Sequence, residues 1–98
     1  MNKRTKALSI SVAVKGHVYE RDKGRCILCG SPYGMPDAHY ISRAHSGLGT
    51  ERNIVTLCRE CHRRYDQTVE REALGEEIRA YLTGCYPGWD EAALTYKK

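Results

Sequence analysis

Two Cys-x-x-Cys pairs, Cys26-Ile-Leu-Cys29 and Cys58-Arg-Glu-Cys61, frame residues 30–57, and a histidine, His62, directly follows the second. Each pair presents two thiolates from one tight turn, and two such turns complete a closed tetrahedral site. Four soft thiolates select zinc over magnesium or calcium, with iron as the minor alternative in the same geometry. A closed site leaves no coordination position for substrate, so zinc here is expected to support folding by holding the two ends of the intervening hairpin region together. A redox role for one pair would leave the other unexplained. The run Cys-x-x-Cys-His also attaches c-type haem, but a haem would require export and leave Cys26 and Cys29 idle. With four cysteines assigned to the metal, His62 is spare. Cys85 lacks a partner and reads as a small buried side chain.

A second set of polar side chains lies beside the cysteines: His39, Tyr40, His45, Asn53, His62 and Asp66. Taken one by one, these are ordinary surface, core or turn residues. Asp66 falls four residues after His62 and shares its helix face. Arg43, Arg52, Arg59, Arg63 and Arg64 crowd the same stretch. They suit either a solvated helix face or contacts to phosphates.

The elements that must position these residues belong to one small domain. A chain of 98 residues buries only about two-thirds of its unfolded surface, and a fold this lean needs a staple. With no Phe, one Trp and seven Tyr, an aromatic core has to come mostly from tyrosines. The formal charge is +4 and the pI about 8.9, a mildly basic balance compatible with nucleic acid. Residues 1–8 read as a frayed basic tail. Ala7 to Val14 is interrupted by Ser9 and Ser11 and runs into Lys15 without a cleavage pattern, so no export signal is expected. A reducing cytoplasm, where paired cysteines are metal ligands, is the expected compartment. No segment approaches the ~20 apolar residues of a membrane span.

A short helix is predicted from Ser11 to Asp22, closed by Gly24. A turn-rich knuckle follows at 25–34. The β-like runs 38–42 and 53–58 predict a hairpin with a long exposed loop containing Gly47 and Gly49. Residues 59–67 look helical. A further helix is predicted from Val69 to Leu82, with Leu74, Ile78, Tyr81 and Leu82 on one stripe and Gly84 and Pro87 ending it. Residues 89–96 suit a short closing turn. The class is therefore α+β.

The segment AHYISRAHSGLGTERNIVTLCRECHRRYD (38–66) resembles the HNH endonucleases, the ββα-metal nucleases, and most of all their small zinc-stapled members from phages and mobile elements. The resemblance spans about residues 18–66. It implies a small treble-clef-like ββα-metal domain with flanking helices, filling 1–98 with residues 67–98 as a helical extension. It also implies that His39 is the first-strand metal ligand, Asn53 the asparagine bracing the loop, and His62 the helix ligand. Asp66 stands where some members carry a further ligand. Two imidazoles from a strand and a helix would leave positions open for phosphate and water. Neutral imidazoles suit Mn²⁺, Ni²⁺ or Zn²⁺ better than Mg²⁺, so Mn²⁺ should serve at least as well as Mg²⁺.

The match departs at Tyr40, where the family's general base is usually a histidine. Tyrosine has a pKa near ~10 and is a poor acceptor at neutral pH. Tyr40 activated by the metal and arginines, Tyr40 orienting water while His45 or a phosphate oxygen accepts the proton, and a slow or disabled nuclease are three readings left open. The expected function is a metal-dependent DNA endonuclease that nicks or cuts both strands according to oligomeric state, with a homodimer or a phage or mobile-element partner supplying the rest. The rival is a non-catalytic zinc module that binds nucleic acid or protein. An iron–thiolate electron carrier is a third, remote reading.

Overall fold

The computed structural model describes residues 2–97. Helices α1 (Lys3–Leu8) and α2 (Val12–Arg21) lead into the first cysteine knuckle. Strand β1 (Met35–His39), a 3₁₀ turn (Arg43–His45) and strand β2 (Ile54–Leu57) follow. Helices α3 (Arg59–Gln67) and α4 (Arg71–Cys85) and a second 3₁₀ turn (Glu91–Leu94) complete the chain. The two strands pair antiparallel, with Met35 opposite Leu57, Ala38 opposite Val55 and His39 opposite Ile54. Between Met35 and Ala38 the register shifts by one extra residue on β1. Pro36 and Asp37 occupy that bulge, a position where a residue without an N–H is tolerated and where side chains are re-aimed.

The α+β class and the hairpin follow the expectation, and α3 covers the residues predicted to be helical. The strand pairing begins earlier than residue 38 because the bulge lets Met35 rejoin the ladder, and it ends at His39. The core is mainly aliphatic, and its aromatic share comes mostly from tyrosines, as expected: Tyr65 within it and Tyr40, Tyr81 and Tyr86 packed against it beside Trp89. Leu8, Val18, Ile54, Val55, Leu57, Ile78, Leu82 and Leu94 are buried, whereas Tyr65 is the one buried tyrosine. The other tyrosines keep their hydroxyls at the boundary, where partners or water satisfy them. Cys85 is half-buried, not buried.

Residues 1–8 were expected to fray, yet from Lys3 they form a helix. The Asn2 side chain accepts from Thr5 N–H at 2.7 Å, Leu8 enters the core, and Gly49 N–H donates to the Ala7 carbonyl at 3.0 Å. Six residues cannot hold a helix alone, so tertiary contacts hold this one. Helix α4 likewise runs through Gly84 to Cys85, because the buried stripe Leu74, Ile78 and Leu82 outweighs the ~1 kcal/mol cost of an interior glycine.

A buried ion pair ties these pieces together. Arg21 clamps Asp22 through Nε at 2.7 Å and Nη2 at 2.9 Å. Asp22 also accepts from Thr56 N–H at 2.9 Å and from the Tyr81 hydroxyl. Arg21 donates further to the carbonyls of Glu51 and Ile54, each at 2.7 Å. One pair of neighbouring side chains thus joins α2 to β2, α4 and the hairpin loop.

That loop requires its glycines. A Cβ on Gly47 would stand 1.7 Å from the Ile41 carbonyl oxygen, and one on Gly49 2.0 Å from that of Ser9. The backbone can pass this close only without a side chain.

Candidate metal centre and cleft

The sulfurs of Cys26, Cys29, Cys58 and Cys61 all lie within 4.8 Å of one another. Those of Cys29 and Cys58 are 3.7 Å apart, close to the ~3.8 Å edge of a tetrahedron with Zn–S bonds of ~2.3 Å. The first pair is carried on the 25–34 knuckle, where Gly30, at φ +80°, donates its N–H to the Cys26 carbonyl at 2.8 Å. The second pair opens α3, with the Cys58 sulfur accepting from Cys61 N–H. Donor type, number and spacing therefore fit a structural zinc site, and α3 starts directly on it.

Starting α3 there presents His62 toward β1. His62 and Asp66 from α3, Asp37 and His39 from β1, His45 from the loop and Arg71 from α4 line one open cavity of about 560 Å³. His39 is half-buried, and its Nε2 lies 2.9 Å from the Leu8 carbonyl oxygen. A carbonyl can only accept, so Nε2 carries the proton and Nδ1 keeps its lone pair. Burial lowers the pKa of His39 below the ordinary histidine value, the nearby Arg43 acting in the same direction. A neutral imidazole that donates its other N–H to a backbone carbonyl is the form that binds a metal.

His62 sits between two carboxylates, with Nε2 2.9 Å from Asp66 Oδ2 and Nδ1 3.7 Å from Asp37 Oδ1. Among the described residues only the four cysteines already converge within 4.8 Å as a group of three or more candidate ligands. The cleft side chains are held instead by contacts with one another.

Asn53 is fully buried behind the cavity. Its carbonyl oxygen accepts from Ile41 N–H at 2.8 Å, and its amide donates to the carbonyls of Ile41 at 3.1 Å and Leu48 at 2.8 Å. It holds the loop shut across its base, and that loop carries Ser42 and His45. His45 is exposed, with Nδ1 2.9 Å from Ser42 Oγ.

Tyr40 is not brought to this cavity. Its hydroxyl donates to Glu91 Oε1 at 3.0 Å and its ring meets Trp89 edge-on at 5.8 Å. Burial and the Glu91 carboxylate push its pKa upward, which leaves the phenol protonated at neutral pH.

The arginines divide. Arg43 lines the cavity and donates to the Leu8 carbonyl at 3.1 Å. Arg59 is exposed, 4.0 Å from Asp37. Arg63 and Arg64 are paired with Glu60 and Glu70, each at 2.6 Å, and Arg52 lies over the Tyr86 ring at 5.0 Å; none of these three lines the cavity.

Two cleft residues escaped the sequence reading. Arg71 donates to the Tyr65 carbonyl at 3.2 Å, lies over the Tyr65 ring at 4.3 Å, and comes within 3.6 Å of Asp66. Asp37 is half-buried beside His39, and its place two residues earlier on the strand was the available signal.

No match to the chain was found among curated proteins. No helix among the described residues is long and apolar enough to cross a membrane. Residues 26–68 match the HNH endonuclease family model, a nuclease-type family whose substrate is nucleic acid. The matched span runs from the first cysteine of the zinc-type cluster through the strand and helix histidines, and over it the chain is similar to the HNH endonucleases.

Proposed function

We propose that the protein is a metal-dependent DNA endonuclease that hydrolyses phosphodiester bonds, with zinc at Cys26, Cys29, Cys58 and Cys61 as its structural staple. The observation that carries this reading is the pairing of His39 and His62, from a strand and a helix, on one open cavity. His39, His62 and Asp66 would hold a divalent ion, Mn²⁺, Mg²⁺ or Ni²⁺. Such an ion neutralises charge developing on the scissile phosphate and stabilises the departing 3′-oxygen.

The protein's own side chains supply the rest. The Leu8 carbonyl fixes the His39 tautomer. Arg43 and Arg71, at the cavity wall, bind the phosphates on either side of the scissile bond, and exposed Arg59 extends that track. His45 takes the proton from the attacking water. Its Nδ1 lies 2.9 Å from Ser42 Oγ, and the tautomer in which Nδ1–H donates there leaves Nε2 to accept. Tyr40 stands outside this cavity, its phenol bound to Glu91. The protein acts in the cytoplasm, where its thiols stay reduced. A homodimer or a phage or mobile-element partner would turn single nicks into double-strand breaks.

The distinctive chemical outcome is the product end. Cleavage of an end-labelled duplex should leave 5′-phosphate and 3′-hydroxyl termini. Products ending in 3′-phosphate would refute the assigned leaving group. The Tyr40–Glu91 bond favours one rival, a zinc-stapled binding module without activity, which would retain DNA on a filter but leave it uncut with every metal.

A further inference from the structure

Asp37 holds an anomaly. Its Oδ1 is buried and, among the described residues, has no hydrogen-bond partner. A shielded carboxylate oxygen without a donor is costly and calls for an explanation, an absent cation being one. The nearest candidate, His62 Nδ1, is 3.7 Å away, beyond hydrogen-bond reach. Arg59 approaches only the other oxygen, at 4.0 Å, and is itself largely exposed. Neither contact satisfies Oδ1.

The backbone brings this oxygen to the cleft by a specific device. Asp37 lies in the bulge of β1, and the extra residue there re-aims the side chain relative to a regular strand. Asp37 thereby reaches the same cavity as His39, His62 and Asp66.

Building on the nuclease reading above, we infer that Asp37 is a further protein ligand of the cleft's divalent ion, making the site two imidazoles and two carboxylates. The addition changes the expected selectivity. Carboxylate oxygens suit Mg²⁺ and Mn²⁺, whereas imidazoles alone favour later transition metals. A mixed nitrogen and oxygen set accommodates Mn²⁺, and the Asp37 carboxylate keeps Mg²⁺ competent. Its loss should therefore weaken Mg²⁺ more than Ni²⁺.

The test is calorimetric titration of Mn²⁺, Mg²⁺ and Ni²⁺ into zinc-loaded protein, without DNA and without an activity readout. Wild type should bind one Mn²⁺ beyond its zinc. Asp37→Asn should keep its zinc content and melting temperature but lose Mn²⁺ affinity by about tenfold or more, and Asp37→Glu should recover part of it. Equal Mn²⁺ affinity in Asp37→Asn and wild type, with His62→Ala abolishing binding, would overturn the inference while sparing the nuclease reading. Absence of a second metal from wild type would overturn both. Should Asp37→Asn fail to fold, the wild type decides. Mn²⁺ should broaden the Asp37 side-chain carboxyl ¹³C resonance beyond detection, and a sharp Asp37 signal beside a broadened His62 would refute ligation.

Discussion

The Leu8 carbonyl oxygen lies 2.9 Å from His39 Nε2 and 3.1 Å from Arg43 Nη1. One backbone atom at the end of α1 thus orients both a proposed metal ligand and a proposed phosphate contact. Helix α1 lies outside residues 26–68, the span that matches the family model, so the cleft is supported from beyond that span.

That support can be disturbed at a distance. A Cβ on Gly49 would stand 2.0 Å from the Ser9 carbonyl oxygen, so Gly49→Ala should push the end of α1 away from His39. Cleavage is expected to fall by about tenfold with zinc content unchanged. Gly16, whose added Cβ meets nothing within 4 Å, provides the control, since Gly16→Ala should leave cleavage intact and raise stability by about 0.4–1 kcal/mol. Single-turnover nicking rates and thermal melts measure both.

Tyr40 and His45 should separate cleanly. Tyr40→Phe removes a hydroxyl that bonds Glu91 outside the cavity, and its single-turnover rate should stay within about threefold of wild type. His45→Ala should lower the rate by about 10²–10⁴, the usual contribution of a general base. The reverse order would move the base to Tyr40.

Asp22 is a structural carboxylate whose side chain is fully buried against Arg21. Asp22→Ala leaves the Arg21 guanidinium without its partner and should destabilise the zinc-loaded protein by about 3–5 kcal/mol. Urea denaturation checks this, and a loss under 1 kcal/mol would mean that Arg21 finds compensation in the Glu51 and Ile54 carbonyls.

The lowered pKa of His39 makes stability pH-dependent in zinc-loaded protein without a second metal. The unfolded chain takes up a proton near pH ~6.5 that the folded chain resists. The fold therefore keeps this contribution above that pH and loses it progressively as pH falls toward the lower folded value. His39→Gln should flatten this part of the stability profile.

Much of this architecture was legible in the sequence because the relevant signals are local. The Cys-x-x-Cys spacing announces the cluster, β-branched Ile54 and Val55 mark β2, and Ser11 and Gly24 bound α2. The family resemblance pointed to Asn53 and residue type to the loop glycines, and the structure gives them hydrogen bonds and close backbone approaches. What stayed hidden depends on tertiary contacts. Helix α1 exists because Leu8 and Gly49 hold it. Asp37 reaches the cleft through a bulge just ahead of the run 38–42 read as a strand, and Arg71 arrives from α4, beyond the recognisable segment. Arg63 and Arg64 looked like phosphate contacts, but Glu60 pairs with Arg63 three residues away on α3, and Glu70, at the start of α4, takes Arg64 once the two helices are joined.

The most direct test of the central claim is nicking of supercoiled plasmid by the zinc-loaded protein in Mn²⁺, Mg²⁺, Ni²⁺ or EDTA, beside His62→Ala with equal zinc. Wild type should nick with Mn²⁺ at least as well as with Mg²⁺, stop in EDTA and lose activity with the mutation. Cleavage that persists undiminished in His62→Ala, or no cleavage with any metal, would contradict the account and leave the zinc-stapled binding module in its place.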